Sequence, residues 1–241
     1  MSEQTTQTNS ATTLPSISPV LDPLGDGISS LTLVRVSGSD VDVVNAARVS
    51  FGKYVTEMSD RDTALIRYLV QHMHTSPFEH NQLSFRVKCP IFVQRQWMRH
   101  RMSSYNEISY RYVKSALEFY LPPKWRYQDH KNRQGSVGEF ENESYKQLYQ
   151  QTLAECVKAY EALLAQDVCR ELARGLLPLC TYTEFIYTVN LHSLIHFIKL
   201  RTHPGAQYEI RQFAHGLLEL AMPHFPVSLA AWKEFHMKEL T

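Results

Sequence analysis

A single α+β domain, a small and mainly antiparallel sheet packed with several long helices, is the architecture this sequence predicts. Three observations carry it. Runs of β-type alternation or composition occur at 31–37, 81–89 and 181–190. Apolar residues at helical spacing fill most of the chain between and after them. No repeat or linker divides residues 30–241, and a few strands among many helices is the α+β pattern.

The elements follow in order. Residues 1–29 are rich in Ser, Thr, Gln, Pro and Gly, with too little buriable surface to offset the entropy of ordering, and read as a flexible polar tail. LTLVRVS (31–37) alternates as a first strand, and SGSD then supplies an N-cap ahead of a helix over VDVVNAARVSF. Ser59 precedes DRDTALIRYLVQHM, where Asp60 and Asp62 suit a helix first turn and Leu65, Tyr68, Leu69 and Met73 form one stripe. NQLSFRVKC alternates Leu83, Phe85, Val87 and Cys89 as a half-buried strand, and a helix is expected from Pro90 to about Ser103. The polar segment 122–138 reads as a loop or excursion, with Trp125 and Tyr127 as a flexible lid. A long helix over ENESYKQLYQQTLAECVKAYEALLA carries Tyr145, Leu148, Tyr149, Leu153 and Cys156 at helical spacing, and CRELARGLL continues as another. TYTEFIYTVN returns to β-type residues, and three helices begin near Leu191, Ala206 and Pro226.

Composition narrows the function. The chain has 241 residues, a formal net charge of +1 and 44% hydrophobic residues, the profile of a soluble protein able to bury one core. Near-neutral charge argues against a surface that attracts nucleic acid or anionic lipid as a whole, so affinity for anions must be local. Cys89, Cys156, Cys169 and Cys180 stand alone without metal-type or disulfide-type spacing, which fits a reducing cytoplasm. No basic and apolar leader begins the chain, and no apolar run reaches the roughly 18 residues that span a bilayer. A cytoplasmic protein without a membrane partner is expected.

One window breaks the balance. Residues 86–114 hold Arg86, Lys88, Arg95, Arg99, Arg101, Arg111 and Lys114 against a single acid, Glu107. In the expected helix Gln96, Arg99 and Ser103 share a face, while Arg95 and Arg99 at i, i+4 repel unless an anion lies near. Guanidinium binds phosphate bidentately at any relevant pH, and SSYNEIS adds hydroxyls, an amide and a carboxylate able to orient a heterocycle. Together they suggest a nucleotide. Charge alone leaves a solvated basic face equally open, and Tyr105, Tyr110 and Tyr112 interleaved with arginines also fit a module that stacks single-stranded RNA.

RHRMSSYNEISYR, residues 99–111, resembles the signature RHRxxSxNExSxR of the flavin-dependent thymidylate synthases (the ThyX family) and matches it at every fixed position. HTSPFEH (74–80), PIFVQRQWMRHR (90–101), ARGLLPLCTYTEFIYTVN (173–190) and IKLRTHPGAQYEIR (198–211) resemble further family blocks in the same order. The resemblance covers roughly residues 47–211.

The resemblance implies reductive methylation of dUMP to dTMP, with methylenetetrahydrofolate as carbon donor and FAD reduced by NADPH as hydride carrier. It implies a homotetramer whose flavin sites lie where subunits meet, bound without a Rossmann fingerprint. By similarity, FAD is contacted at Ser76, Arg99, His100, Arg101, Glu107, Asn190, Leu191, His192 and His196, with Glu79 and Ser50 nearby. The dUMP site falls on Gln96, Arg99, Glu107, Ser109, Arg111, Arg174 and Arg201, with backbone from Trp97, Met98, Ile108 and Tyr110. Arg111 and the Ser109 region would hold the phosphate. Arg201, facing the uracil, would be the catalytic residue, a fixed cation that stabilises the anionic ring and raises the nucleophilicity of C5. No cysteine lies beside a base as a nucleophile attacking C6 would need. No metal is expected: His72, His74 and His80 lack a supporting carboxylate arrangement beyond Glu79. Two positions depart from the family pattern. Gly205 stands where many members carry histidine, with His203 two residues earlier, and His196 stands where some carry asparagine.

Overall fold

The computed structural model describes residues 18–112 and 116–237. In chain order these form β1 (Ser30–Ser37), α1 (Asp40–Arg48), α2 (Asp60–Gln71), β2 (Gln82–Pro90), α3 (Ile91–Trp97) and β3 (Ser103–Glu107). Then come β4 (Trp125–Gln128), β5 (Ser136–Phe140), α4 (Glu143–Ala165), α5 (Arg170–Ala173), β6 (Tyr182–Asn190), α6 (Leu191–Thr202), α7 (Tyr208–Ala221) and α8 (Pro226–His236). Four strands make one antiparallel sheet in the order β1-β2-β6-β3, and β4 with β5 makes a separate hairpin. The α+β expectation holds.

The alternation of β2 divides the sheet as its sequence requires. Leu83, Phe85, Val87 and Cys89 are fully buried, and opposite them β6 turns Phe185, Tyr187 and Val189 to the same core. On the other face Arg86 pairs with Glu184 at 2.5 Å and Lys88 with Glu118 at 2.6 Å. Two of the seven cations in the basic window are thus neutralised away from the rest. Helix α7 comes close to β1 because residue 216 is glycine; a Cβ there would lie 2.9 Å from Leu31 Cδ2. Asp40, the first residue of α1, is 5% exposed and caps α8 instead, accepting from Val227 N at 2.7 Å and Ser228 N at 3.1 Å.

Several local expectations are corrected. Of the predicted tail, residues 1–17 lie outside the described residues, but 18–29 are docked: Leu21 bridges Leu31, Leu24 is buried, and Asp22 accepts from Gly25 N and Gly27 N. The helix after Pro90 ends at Trp97 rather than near Ser103, because Ser103–Glu107 pairs with β6. Arg99 and Ser103 therefore leave the helical face shared with Gln96, and Arg95 and Arg99 are no longer an i, i+4 pair. The polar excursion is the β4–β5 hairpin; Trp125 packs against Tyr145 and Tyr149, and Tyr127 against Phe140, so neither is a loose lid. In α2 the buried face is Ile66, Leu69 and Val70; Tyr68 is exposed beside His72 and His74, and Met73 leaves the stripe at a positive φ beyond the helix end. On α4 only Leu153 of the predicted stripe is buried, and Tyr145 and Leu148 are exposed.

Candidate active site

The site begins with where α3 stops. Trp97, fully buried, packs its indole on Phe185, Tyr187, Phe197 and Phe213 with ring centroids 4.7–5.8 Å away. That anchor fixes the exit of the chain, and Arg99–Met102 then form a turn, closed by His100 N donating to the Trp97 carbonyl, before β3 joins the sheet. Ser103 Oγ and the Tyr105 hydroxyl both reach the His100 carbonyl, at 2.7 and 2.8 Å, and hold the turn in shape. Across from it, β6 runs directly into α6, whose N-terminus is capped by Asn190 Oδ1 accepting from Ser193 N at 2.8 Å.

Between these walls lies a cleft of about 540 Å³. Arg99, His100, Arg101, Asn190, His192, His196 and Arg201 line it, so seven residues expected from the resemblance meet here. Arg201 donates from Nε to His100 Nε2 at 3.0 Å and from Nη2 to the Gln96 carbonyl at 3.1 Å. Burial, with Arg201 and then His196 adding to it, lowers the His100 pKa to about 4, so the ring is neutral and Nε2 is free to accept. The His196 ring stands edge-on to His100 at 6.0 Å, and burial, then His192 and Lys199, lower its pKa. Arg201 is itself half-buried, which lowers its pKa, though a guanidinium remains charged. Among the described residues Arg99 and Arg101 make no ion pair.

Other expected residues lie elsewhere. Glu107 stands at the far end of β3, about 13 Å along the strand from Ser103 at the usual rise per residue. It accepts from Gln94 Nε2 at 2.9 Å and Thr183 Oγ1 at 2.6 Å. Beyond it the Ile108 N–H donates to Glu184 O, Ser109 Oγ accepts from Arg111 Nε at 3.2 Å, and the Arg111 guanidinium lies 5.0 Å from the Tyr112 ring centre. The Tyr110 hydroxyl donates to the Tyr182 carbonyl, and Tyr105 stacks inward on Tyr187, so of the three tyrosines only Tyr112 stands fully out. Arg174 is exposed on the 3₁₀ turn Arg174–Leu176 and lines no part of the cleft. Trp97 and Leu191 have core side chains and offer only backbone; Met98 is partly buried against the same core, and Ser76 is exposed on a turn whose Glu79 reaches the cleft.

Two contributors were not expected. Tyr187 lines the cleft although it is fully buried. The signal was present, a polar-tipped ring at an inward position of β6. Gln96 Nε2 donates to Gln207 Oε1, Gln207 Nε2 to Glu209 Oε2, and Glu209 Oε1 accepts from Arg126 Nη2 at 2.6 Å and from the Tyr120 hydroxyl at 3.1 Å. Nothing local in the sequence marks that chain, which ties the hairpin to the cleft.

The chain matches the family model described as thymidylate synthase complementing protein over residues 32–227. A flavin-dependent thymidylate synthase of Thermus thermophilus is 46% identical over 221 residues, 92% of this chain and 79% of its own length. The chain belongs to the flavin-dependent thymidylate synthase family. A synthase of that name from Kosmotoga olearia is 43% identical, over 85% of this chain and 90% of its own. The UMP/dUMP methylase PolB of Streptomyces cacaoi, solved with 5-Br UMP and with 5-Br dUMP, superposes with TM-scores of 0.76 and 0.77 at 33% and 32% identity. Each alignment covers 86% of this chain and 94% or 95% of PolB.

The flavin that the family name implies fits this cleft. The Tyr187 hydroxyl and His192 Nδ1 are buried atoms of cleft-lining residues with no hydrogen-bond partner among the described residues, an arrangement that costs free energy unless a ligand supplies one. The indole N–H of Trp97 lies near the Tyr187 hydroxyl but outside hydrogen-bond geometry. Arg99 and Arg101 bring charge suited to a diphosphate, and the α6 N-terminus adds its partial positive charge.

Proposed function

We propose that this protein reductively methylates dUMP to dTMP, taking the carbon from methylenetetrahydrofolate and the hydride through FAD reduced by NADPH. The observation that carries the reading is Arg201, a half-buried cation fixed by neutral His100 and the Gln96 carbonyl in an arginine-lined cleft. The names of the relatives support a flavin, and the nucleotides bound to PolB support a uridylate substrate.

In this reading Arg201 sits against the uracil ring and stabilises the negative charge that accumulates as C5 turns nucleophilic. Its two acceptors leave the guanidinium edge oriented before substrate arrives, so no reorganisation is required during reaction. Arg111, with Ser109 beside it, receives the 5′-phosphate, and Arg174 adds a second cation; Glu107, held by Gln94 and Thr183, orients polar groups of the ligands. Arg99, His100, Arg101, Asn190, His192 and His196, with Ser76 and the Leu191 backbone, hold the flavin. The bound flavin supplies the hydride chemistry, and the protein supplies orientation and electrostatics.

On one subunit Glu107, Ser109, Arg111 and Arg174 line no part of the cleft that holds Arg99 and Arg201. A homotetramer with active sites at subunit interfaces resolves this, one copy offering Gln96, Arg99 and Arg201 and another Glu107, Ser109, Arg111 and Arg174. A cytoplasmic location belongs to the same reading and is supported by four unpaired cysteines. Among the described residues no helix is long and apolar enough to cross a membrane. The test is tritium release from dUMP labelled at carbon 5, with FAD, NADPH and methylenetetrahydrofolate supplied together and each omitted in turn. Release that needs all of them supports the reading; no release from a yellow, dUMP-binding protein overturns it.

A further inference from the structure

A second cleft, of about 880 Å³, opens on the far side of Arg201 and joins the first along Leu200 and Arg201. One wall is the C-terminal part of α6, with Lys199 and His203; the other is the tip of the β4–β5 hairpin, with Asn132 and Gln134; Phe235 and Met237 give an apolar floor. Among the described residues no acidic side chain lines it. On α6, His192, His196 and Lys199 follow at i, i+4 and i+7, a ridge that leads from the first cleft into the second, and His203 stands directly after the helix end.

The walls are built rather than loose. At the hairpin tip Asp129 Oδ1 accepts from Lys131 N and Asn132 N at 2.8 and 3.0 Å, and Gln128 Nε2 donates to the Arg133 and Gly135 carbonyls. After α6, His203 Nδ1 accepts from Gly205 N at 3.0 Å, so a neutral ring carries its proton on Nε2. A Cβ at residue 205 would lie 3.1 Å from His203 Nδ1 and 3.5 Å from Asn132 Nδ2. Glycine at 205 therefore gives the imidazole room at one end of the cleft, where the hairpin tip lies at ordinary contact distance. This gives the departure at 205 a structural role.

We infer that the second cleft receives the anionic tail of an elongated co-substrate whose heterocycle lies at the Arg201 end, with Lys199 and His203 as its ligands. The inference rests on the proposed function. Its shared chemistry is a planar ring carrying a chain of carboxylates or phosphates, which describes both the glutamate tail of the folate and the phosphates of the pyridine nucleotide. Lys199 supplies charge, His203 a donor, Asn132 and Gln134 neutral hydrogen bonds, and the floor covers the apolar part of the chain.

The experiment titrates tetrahydrofolate monoglutamate and triglutamate, NADPH and NADH into the full-length flavin-loaded protein with dUMP present, by equilibrium dialysis. The wild type is expected to favour triglutamate over monoglutamate, or NADPH over NADH. Lys199→Gln with His203→Gln should remove that preference by weakening the more highly charged ligand about tenfold, weaken the less charged one by a smaller factor, and keep dUMP affinity and flavin content. Gly205→Ala, which keeps both ligating side chains, should weaken the more highly charged ligand by shifting the His203 ring. A wild type without either preference, or a preference that survives both variants, overturns the inference. So does an equal loss of dUMP or flavin. Failure of the proposed function shows instead as a wild type that takes up neither flavin nor dUMP, or that takes up both and releases no tritium from dUMP in the assay above.

Discussion

Arg201 Nε donates to His100 Nε2 across 3.0 Å, and that bond exists only while the imidazole is neutral. Burial and the neighbouring cation enforce this, holding the histidine pKa near 4. The same guanidinium reaches the Gln96 carbonyl, so one residue joins the end of α6 to the exit of α3. Replacing Arg201 by alanine should leave the fold and flavin content intact and lower turnover by about 10²–10³-fold, as loss of a charge aimed at the reacting atoms does. Near-wild-type turnover, measured with saturating dUMP, would sink the role assigned to it.

His100 gives a pH dependence of definite sign. Its folded pKa lies below the unfolded value of 6.5, so between about 6.5 and 4 the unfolded chain binds more protons, and acid destabilises the fold across that window. Thermal melts from pH 7 to pH 4 should show a falling Tm with a steeper slope than His100→Gln, which has no proton to gain there. Parallel slopes in the two proteins would contradict the neutral-histidine geometry.

Glu209 is 2% exposed and receives Arg126, Tyr120 and Gln207. Glu209→Ala removes the carboxylate that balances Arg126 and should cost about 3 kcal/mol, read in denaturant titration. Glu209→Gln keeps the shape and should cost less. Because Gln207 also pairs with Gln96, the milder variant should raise the KM for dUMP more than it lowers kcat. A KM unmoved by Glu209→Gln would separate this network from the site.

Arg111→Ala should weaken dUMP binding by about tenfold or more while leaving Tm nearly constant, since the guanidinium is exposed and its contacts are to Ser109 and the Tyr112 ring. Isothermal titration with dUMP checks it. Unchanged affinity would remove Arg111 from the phosphate site.

Tyr187→Phe should act with opposite signs on two readouts. In the flavin-free protein it deletes a buried hydroxyl without a partner, so Tm should hold or rise. In the loaded protein it deletes a hydrogen bond, so flavin should dissociate several-fold more readily. Equal flavin retention would mean the hydroxyl does not face the cofactor.

Much of the fold was readable because the responsible forces are local. The alternation of β2, the capping box of Ser59 and Asp62, and the junction of β6 with α6 at Asn190 each follow from side chains within a few residues of one another. Where the reading slipped, a distant partner intervened. Helix α3 is cut short because the edge of β6, some eighty residues on, takes Ser103–Glu107 into its ladder. Residues 18–29 are ordered because Leu21 and Leu24 find β1 and the core, an area a composition count does not credit. The segment 122–138 becomes a hairpin because Trp125 and Phe140 pack on α4.

By itself the sequence determined the family, through a motif dense in fixed polar positions, and the chemistry that the candidate site residues carry. Only the tertiary structure decided how they are grouped. It set Arg201 against His100, buried that ring until it became neutral, turned Arg86 and Lys88 to the opposite face of the sheet, and left Glu107, Ser109 and Arg111 at the other end of β3. The physical reason is that charge and hydrogen-bonding capacity belong to single residues and can be read from their identity. Burial, and the pairing of groups a hundred positions apart, arise only when the whole chain packs.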